Sequence, residues 1–275
     1  GSESTIAQIQ LMQKNNFYNN SALPNLVFYW TSLLGNSGYI KSTTSDEANK
    51  GIEEEKLDEG TDISKRDFTG PDFSAWAYAL FNPDTLYAAR GIHPSGVGID
   101  RYISPNQLTN EARNYLNKQG NLSYLNLISP HMFGFNKFKL FRNEKGNYYG
   151  NFSIRHTLTP FGNDISVDLF FQTPTLKLFG TIHTYNNYTK NFLGLEGGIV
   201  DKEIWKNKLL LSGTAMLWMQ PKDQSFYAKE GSLGGAMKAK AFYSFSTFKP
   251  YIEITAKTKG WVNSNVYLED NLGVN

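Results

Sequence analysis

Hydrophobic and polar residues alternate with a period of two through most of the chain after residue 131. From residue 148 to residue 158, one set of alternate positions holds Tyr148, Gly150, Phe152, Ile154, His156 and Leu158, and the other holds Tyr149, Asn151, Ser153, Arg155 and Thr157. Similar segments cover residues 164–172, 176–185, 191–200, 209–219, 235–248, 251–262 and 266–274. This pattern is typical of β-strands with two different faces. The segments last about nine to thirteen residues, the length that a tilted strand needs to cross a bilayer.

Charged residues occur inside these segments opposite an apolar face. Lys238 and Lys240, for example, alternate with Met237, Ala239 and Ala241. Lysines at such positions are not expected to face lipid, so we expect them to line the inside of a barrel. The predicted lumen-lining residues are Arg155, Asp168, Lys177, His183, Glu196, Lys238, Lys240, Glu253, Lys257 and Lys259. Their mixed signs predict a filled lumen with salt bridges rather than an ion-selective ring.

The first 130 residues have a different pattern. Residues 26–36 and 73–81 are apolar and aromatic enough to be two candidate strands. Between them, residues 42–69 form a long acidic stretch, which we interpret as an outer loop because barrels commonly carry long loops on one side. The acids in it lack the spacing of a metal site.

One or two short helices are predicted just before the strand-rich half. Ser104 and Pro105 are a good helix start, with Ser as the N-cap and Pro at the first helical position. Gly120 is a candidate C-cap. A second helical piece is expected over residues 121–128, before Pro130. In a barrel these helices would fill the lumen or lie on its periplasmic face.

Composition agrees with a membrane-embedded all-β protein. The chain has 275 residues, 15% aromatic residues and a net charge of +2, and its mean hydropathy is −0.43. A barrel can be both aromatic and polar on average because every second strand residue faces the lumen.

The sequence also excludes several features. It contains no run of 18 apolar residues, so no membrane-spanning helix is predicted. The absence of Cys excludes a disulfide framework, and the lack of a basic cluster gives no reason to expect nucleic acid as a partner.

The most unusual segment outside the predicted strands is residues 90–102, which combines a His, a Ser, an Asp, two Arg and several Gly. In a catalytic interpretation, His93 acts as a general base beside Ser95, Asp100 orients it or acts as a second acid, and an arginine such as Arg101 holds an anionic substrate. The alternative is a structural loop in which the glycines allow a tight turn and Asp100 pairs with an arginine. No histidines are spaced as metal ligands, and neither a metal nor a cofactor is predicted.

The alternating region, with segments such as Gly213–Met219 and Ala256–Trp261, resembles Gram-negative outer-membrane β-barrels as a class. The resemblance implies an antiparallel transmembrane barrel of about 10 to 12 strands over residues 131–275, with residues 1–130 as a plug or periplasmic cap. Such barrels usually finish on an aromatic residue, whereas this chain ends in Asn275. Gly1 and Ser2 look like a cloning remnant, so a signal peptide removed earlier would leave no trace.

Three functions are compatible with the sequence. The first is a narrow transport or scaffold protein of the bacterial outer membrane, in contact with lipid and lipopolysaccharide and with other outer-membrane proteins. The second is a hydrolase of membrane lipid or lipopolysaccharide that uses either the loop from His93 to Arg101 or His183. The third is a soluble β-sandwich that binds its partner through surface aromatic residues.

Overall fold

The computed structural model of the protein describes residues 2–19, 23–45, 47, 72–82, 108–205, 208–222, 231–245, 248–261, 263 and 269–274. Within them the helices are α1 (Ser2–Tyr18), α2 (Leu23–Thr43), α3 (Asp72–Phe81) and α4 (Asn110–Leu122), followed by 3-10 helices at Ser123–Leu127 and Pro130–Phe133. The strands are β1 (Phe138–Asn143), β2 (Gly146–Thr159), β3 (Gly162–Gln172), β4 (Lys177–Asn186), β5 (Asn191–Trp205), β6 (Leu209–Gln220), β7 (Ser232–Tyr243), β8 (Tyr251–Lys257) and β9 (Asn271–Val274).

All nine described strands form one antiparallel sheet in sequence order. The predicted all-β, antiparallel architecture is therefore confirmed, with a few helices before it. Short hairpin turns fix the register, and two connecting residues join β2 to β3. Gly162 begins β3 at a φ of 139°, and a Cβ there would come within 2.1 Å of the Asn186 backbone oxygen. Only glycine fits both the backbone angle and the space.

The two faces of the sheet differ in composition and in burial. The face that α1 covers, here called the inner face, carries polar residues such as Ser153, Ser166 and Thr181, which are buried. The opposite outer face carries Leu195, Leu217 and other large apolar residues, which are exposed. The alternation in the sequence thus corresponds to a covered face rich in polar residues and a mostly apolar face. The described residues leave this outer face uncovered except near the end of β2, where helices cover His156 and Leu158.

Helix α1 lies on the inner face of β2 and β3 and packs against α2 on its other side. Ile6 and Ile9 of α1 are buried against Tyr29 and Leu33 of α2. At the far end of α1, the Tyr18 hydroxyl donates to the Leu178 backbone oxygen at the start of β4. The helix therefore packs on α2 with an apolar side and contacts the sheet with another side.

Residues after β8 contact strands that lie far from β8 in the order of the sheet. The ring of Phe161, in the β2–β3 turn, contacts that of Trp261, just after β8, at 5.2 Å between centroids. Asn263 Nδ2 lies 3.3 Å from Oδ2 of Asp164 on β3. Tyr185 on β4 also contacts Trp261. These contacts bring residues after β8 over the inner face of β3 and β4.

The prediction of two N-terminal strands is wrong. Residues 26–36 lie in α2, and residues 73–81 lie in α3. The buried residues of α2 are Tyr29, Leu33, Asn36, Ser37 and Ile40, a helical spacing of three and four. Aromatic residues such as Phe28 and Trp30 favour strands only weakly. Here packing against α1 and α4 stabilises the helix instead.

The predicted helix before the sheet exists, but both of its ends differ from the prediction. Thr109 is the N-cap, and its hydroxyl accepts a hydrogen bond from the Ala112 backbone N–H at 3.1 Å. Ser104 and Pro105 lie outside the described residues. Gly120 lies inside the helix rather than at its end, and a Cβ there would come within 2.1 Å of the Thr44 hydroxyl oxygen. The glycine allows α4 to approach the end of α2 closely.

Candidate functional site

The most polar buried region of the described protein lies where α1 meets the inner face. Arg155 on β2, Asp164 and Asp168 on β3, His183 on β4 and Glu196 on β5 project from alternate positions of neighbouring strands, so they share this face. Lys14 reaches them from α1. These six residues are called the inner charged cluster below.

Arg155 and Asp168 form its central ion pair. The Arg155 Nε donates to Asp168 Oδ2, and Nη2 donates to Oδ1 at 3.0 Å. The same carboxylate accepts from Thr181 Oγ1 at 2.7 Å, from Gln10 Nε2 at 2.8 Å and from Ser153 Oγ at 3.3 Å. Both charged side chains are almost completely buried. A buried carboxylate with this many donors is a structural anchor, because every bond compensates for the water it has lost.

His183 is held between two acids. Its Nδ1 lies 2.7 Å from Asp164 Oδ2, and its Nε2 lies 3.4 Å from Glu196 Oε2. The imidazole also stacks on the Tyr185 ring, with 5.3 Å between centroids and 1° between planes. Ser166 is paired directly opposite His183 in the β3–β4 register. Its buried hydroxyl has no hydrogen-bond partner among the described residues.

Lys14 contributes a cation to the cluster from α1. Its ammonium lies 3.6 Å from the centroid of the Phe179 ring. Burial lowers the pKa of Lys14, and the nearby carboxylates of Glu196 and Asp168 oppose that effect. At the end of α1, Asn19 Oδ1 accepts a hydrogen bond from Lys177 Nζ at 3.3 Å. The helix is thus bonded to β3 and β4 by polar and charged groups along its length.

A second charged group lies further along the inner face, on β7 and β8. Glu253 lies between Lys238 Nζ at 3.7 Å and Lys240 Nζ at 3.6 Å. The Lys240 ammonium also lies 3.8 Å from the Tyr251 ring centroid. Lys257 Nζ donates to the backbone oxygens of Thr258 and Glu269, both at 3.0 Å. Helix α1 does not cover this group, and about half of the Lys238 side chain is exposed.

All but one of the residues predicted to line a lumen are found on the strand predicted for them, and on the inner face. The exception is Lys259, which lies past the end of β8 with an exposed side chain. The structure brings Arg155, Asp168 and His183 together near α1, and Lys238, Lys240 and Glu253 together on β7 and β8. The catalytic candidates His93, Ser95, Asp100 and Arg101 lie outside the described residues. The acidic stretch over residues 42–69 lies outside them too, except for its first residues.

Sequence reasoning missed the contribution of α1. Gln10, Gln13 and Lys14 are ordinary residues of a helix surface, and nothing in their local sequence indicates a strand partner. One signal was available: together with Phe17 they occupy one side of the helix at a spacing of three and four. A polar stripe next to an apolar one can indicate a helix that is buried on both sides.

The remaining histidines serve packing. His156 lies on the outer side of β2 beneath α4, where its Nε2 is 2.8 Å from Gln119 Oε1. His131 lies in the 3-10 helix before β1, and its Nδ1 is 3.2 Å from Asn136 Oδ1. Burial lowers the pKa of His131 to about 4. Among the residues that the structure describes, no group of His, Asp and Glu could hold a metal ion.

Comparisons with protein-family models, with curated proteins and with solved structures find no match for the chain. In the described part of the chain, no helix is both long and apolar enough to cross a membrane. A functional assignment therefore depends on the geometry of the sheet and of α1.

Proposed function

We propose that the protein is an integral outer-membrane β-barrel whose lumen is filled by its own helix α1, and that it acts as a narrow transport or scaffold protein. The bacterial outer membrane supplies its surroundings, and membrane lipid and lipopolysaccharide cover its outer face. The barrel itself, including closure of the sheet on itself and its final strand number, is part of this proposal.

The observation that carries the proposal is the reversed polarity of the sheet. Leu195, Leu217 and Met237 expose 58%, 62% and 69% of their surface on the outer face. Arg155 and Asp168 are buried on the inner face. A soluble β-sandwich would do the opposite, because it buries its apolar faces against each other. Lipid is the environment in which an uncovered apolar face is stable.

Aromatic residues at one end of the outer face support the same conclusion. They lie at the end of the sheet that carries the turns after β1, β3, β5 and β7. Phe141 stacks on Tyr148 at 4.3 Å, and Tyr148 lies 6.2 Å from Phe171. Further along this end, Trp205 lies 6.5 Å from Tyr243. Aromatic side chains concentrate at the boundary between hydrocarbon and water in transmembrane barrels.

The inner face favours a filled lumen over an open pore. Helix α1 covers β2 and β3 and bonds to Asp168, Ser153 and the Leu178 backbone oxygen. The charges on the inner face are of both signs, whereas a selective pore concentrates one sign. Arg155 is paired with Asp168, and Glu253 lies between two lysines. Passage of large solutes is therefore not the function that this arrangement supports.

Migration on a denaturing gel tests the barrel. The purified protein, extracted in detergent, is run with and without boiling. We expect the unboiled protein to migrate differently from the boiled one, because folded barrels resist the denaturant. Identical migration, together with a monodisperse protein in the absence of detergent, would exclude the barrel.

Conductance across a planar bilayer tests the filled lumen. We expect little conductance from the wild-type protein and more frequent openings from the Gln10→Ala/Lys14→Ala variant, which removes polar contacts between α1 and the sheet. Gln8→Ala is the matched control, because Gln8 is exposed on the same helix. A large, stable wild-type conductance would contradict a lumen filled by α1.

A hydrolase of membrane lipid is a second candidate, favoured by one observation. Ser166, His183 and Asp164 are adjacent on the inner face, and His183 Nδ1 bonds Asp164 as in a catalytic triad. Against it, His183 Nε2 faces Glu196 rather than Ser166. Lipid hydrolysis that Ser166→Ala abolishes would establish this alternative, and hydrolysis lost in His93→Ala or Ser95→Ala would assign it to the loop instead. We expect no hydrolysis by the wild type.

A further inference from the structure

We infer that one side of α2 is a second lipid-facing surface, so that the membrane-embedded wall continues from the sheet onto a helix. The inference rests on the proposed barrel. The surface is left uncovered by the residues that the structure describes, and the partner we infer for it is the acyl chains of membrane lipid. The surface, called the α2 stripe below, consists of Leu23, Val27, Phe28, Thr31, Leu34, Gly35, Gly38 and Tyr39.

The α2 stripe is exposed and carries no charge. Leu23, Val27, Phe28, Leu34 and Tyr39 are all among the exposed large apolar residues of the described chain. Together with the exposed Thr31, Gly35 and Gly38 they have the three- and four-residue spacing of a helix face. Asp, Glu, Lys and Arg are absent from α2 except for Lys41 in its last turn, where the Lys41 ammonium bonds Asn121 Oδ1 at 2.7 Å.

The other side of α2 is fully engaged with protein. Tyr29 and Leu33 pack on α1, and Ile40 packs on α3 and α4. Ser37 and Ser123 exchange hydrogen bonds between hydroxyl and backbone oxygen, each at 3.1 Å. These contacts hold α2 in a fixed orientation, so the stripe cannot be buried by a simple rotation of the helix.

These contacts place α2 beside the free edge of β2. Strand β1 pairs with β2 only as far as Gly150. Beyond that point the chain segment after α4 takes over: the Ile154 N–H donates to the Ile128 oxygen at 3.2 Å, and the His156 N–H donates to Asn126 Oδ1 at 2.7 Å. Because α2 packs directly on this segment, it is the next element of the wall after the edge of β2.

A comparison with α4 indicates which solvent covers the stripe. Helix α4 is also covered on one side only, and its exposed residues include Glu111, Asn114 and Lys118. That is the usual surface of a helix in water. The α2 stripe has apolar residues where α4 has charged ones. From Leu23 to Tyr39 it extends for about 24 Å at 1.5 Å per residue, which is close to the roughly 30 Å of a bilayer's hydrocarbon core.

Spin labelling tests this inference directly, because the chain contains no Cys and each label therefore occupies a single position. Val27→Cys and Leu34→Cys place a nitroxide on the α2 stripe. Leu195→Cys labels the outer face of the sheet, and Asn114→Cys labels α4 as the water-exposed reference. The full-length protein is reconstituted in phosphatidylcholine vesicles, and collisions with oxygen and with a water-soluble nickel chelate are measured by power saturation.

We expect the labels at 27 and 34 to match the label at 195, with high collision rates for oxygen and at least a several-fold lower rate for the nickel chelate than at 114. High nickel accessibility at 27 and 34, with 195 still in lipid, would overturn the α2 surface and leave the barrel intact. Low accessibility to both reagents would overturn it in favour of a protein partner. Nickel accessibility at 195 would overturn the barrel as well.

Discussion

The inner and outer faces of the sheet are made by the same strands but are stabilised in different ways. On the inner face, polar groups are buried and bonded to each other and to α1, as Asp168 is to Arg155, Thr181 and Gln10. On the outer face, Leu195, Leu217 and Met237 are exposed, and none of the described residues covers them. The inner face therefore depends on specific partners, whereas the outer face depends on the solvent around it.

This difference separates two kinds of substitution. Removing one member of a buried polar network leaves its partners buried without a hydrogen bond. The loss in the free energy of unfolding therefore depends on how many partners the removed group had. A charge placed on the outer face lowers the free energy of unfolding substantially only if that face is surrounded by lipid. The size of the loss therefore shows whether the face lies in lipid or in water. The predictions below use the first kind to test the inner face and the second kind to test the outer one.

The largest effect is expected for Asp168→Ala. The variant leaves the buried Arg155 without its counter-ion, and we expect the free energy of unfolding to fall by about 3–5 kcal/mol. Urea unfolding in detergent, followed by tryptophan fluorescence, measures the change. The control is Glu253→Ala, which removes an acid whose lysine partners are partly exposed and should cost about 0–1 kcal/mol. Equal losses in the two variants would mean that the buried Arg155–Asp168 pair stabilises the fold no more than the partly exposed pairs of Glu253 do.

A charge on the outer face should have the next largest effect. In Leu195→Arg we expect the free energy of unfolding in lipid vesicles to fall by about 2–4 kcal/mol, the cost of an arginine near the bilayer midplane. The matched control is Asn114→Arg on the exposed side of α4, which should change the free energy by less than about 0.5 kcal/mol. If Leu195→Arg is as harmless as the control, the outer face is in water.

The strands and the polarity of their faces could be predicted from the sequence, because a period of two is a local property. Each of β2 to β8 covers a segment that alternates in the sequence. The same locality explains the error in the first third of the chain. Phe28, Tyr29 and Trp30 favour a strand, and only the buried positions Tyr29, Leu33 and Ile40, which follow from tertiary packing, show the helical period.

The candidate site could be predicted in part. Strand parity placed Arg155, Asp168 and His183 on a common face, since side chains alternate between the faces of a strand. The element that covers them could not be predicted, because the contact between Gln10 and Asp168 joins residues 158 positions apart. No local pattern carries that pairing, and the same is true of Lys14 beside Phe179.

Acid should weaken the packing beneath α1 through His131. Because burial holds its pKa at about 4, below the ordinary value of 6.5, the unfolded chain takes up a proton between these values that the folded protein does not. The stabilisation is therefore present above pH 6.5 and is lost as the pH falls towards 4, by up to roughly 1.4 kcal/mol per pH unit. Urea unfolding from pH 7 to pH 4 should show a shallower loss in His131→Gln than in the wild type. Parallel profiles would contradict the role of His131.

The smallest effect is expected for Gln13→Ala, which tests what holds α1 to the inner face. The buried amide donates from Nε2 to the Tyr29 hydroxyl at 3.1 Å and to Ser129 Oγ at 3.4 Å, and its Oε1 accepts from Ser153 Oγ at 3.1 Å. It thus joins α1 to α2, to the segment before β1 and to the sheet.

Without this amide, three buried hydroxyls lose a partner, and we expect a loss of about 1–3 kcal/mol in the free energy of unfolding. Gln8→Ala, the same change at an exposed position of the same helix, should stay within about 0.5 kcal/mol. Hydrogen exchange then separates two explanations of the loss. Faster exchange confined to α1 means that the helix detaches while the sheet persists, as expected of a helix held in a polar lumen. Equal acceleration in α1 and in β3 would instead make the helix and the sheet one cooperative unit, and the inner face could not open by releasing α1 alone.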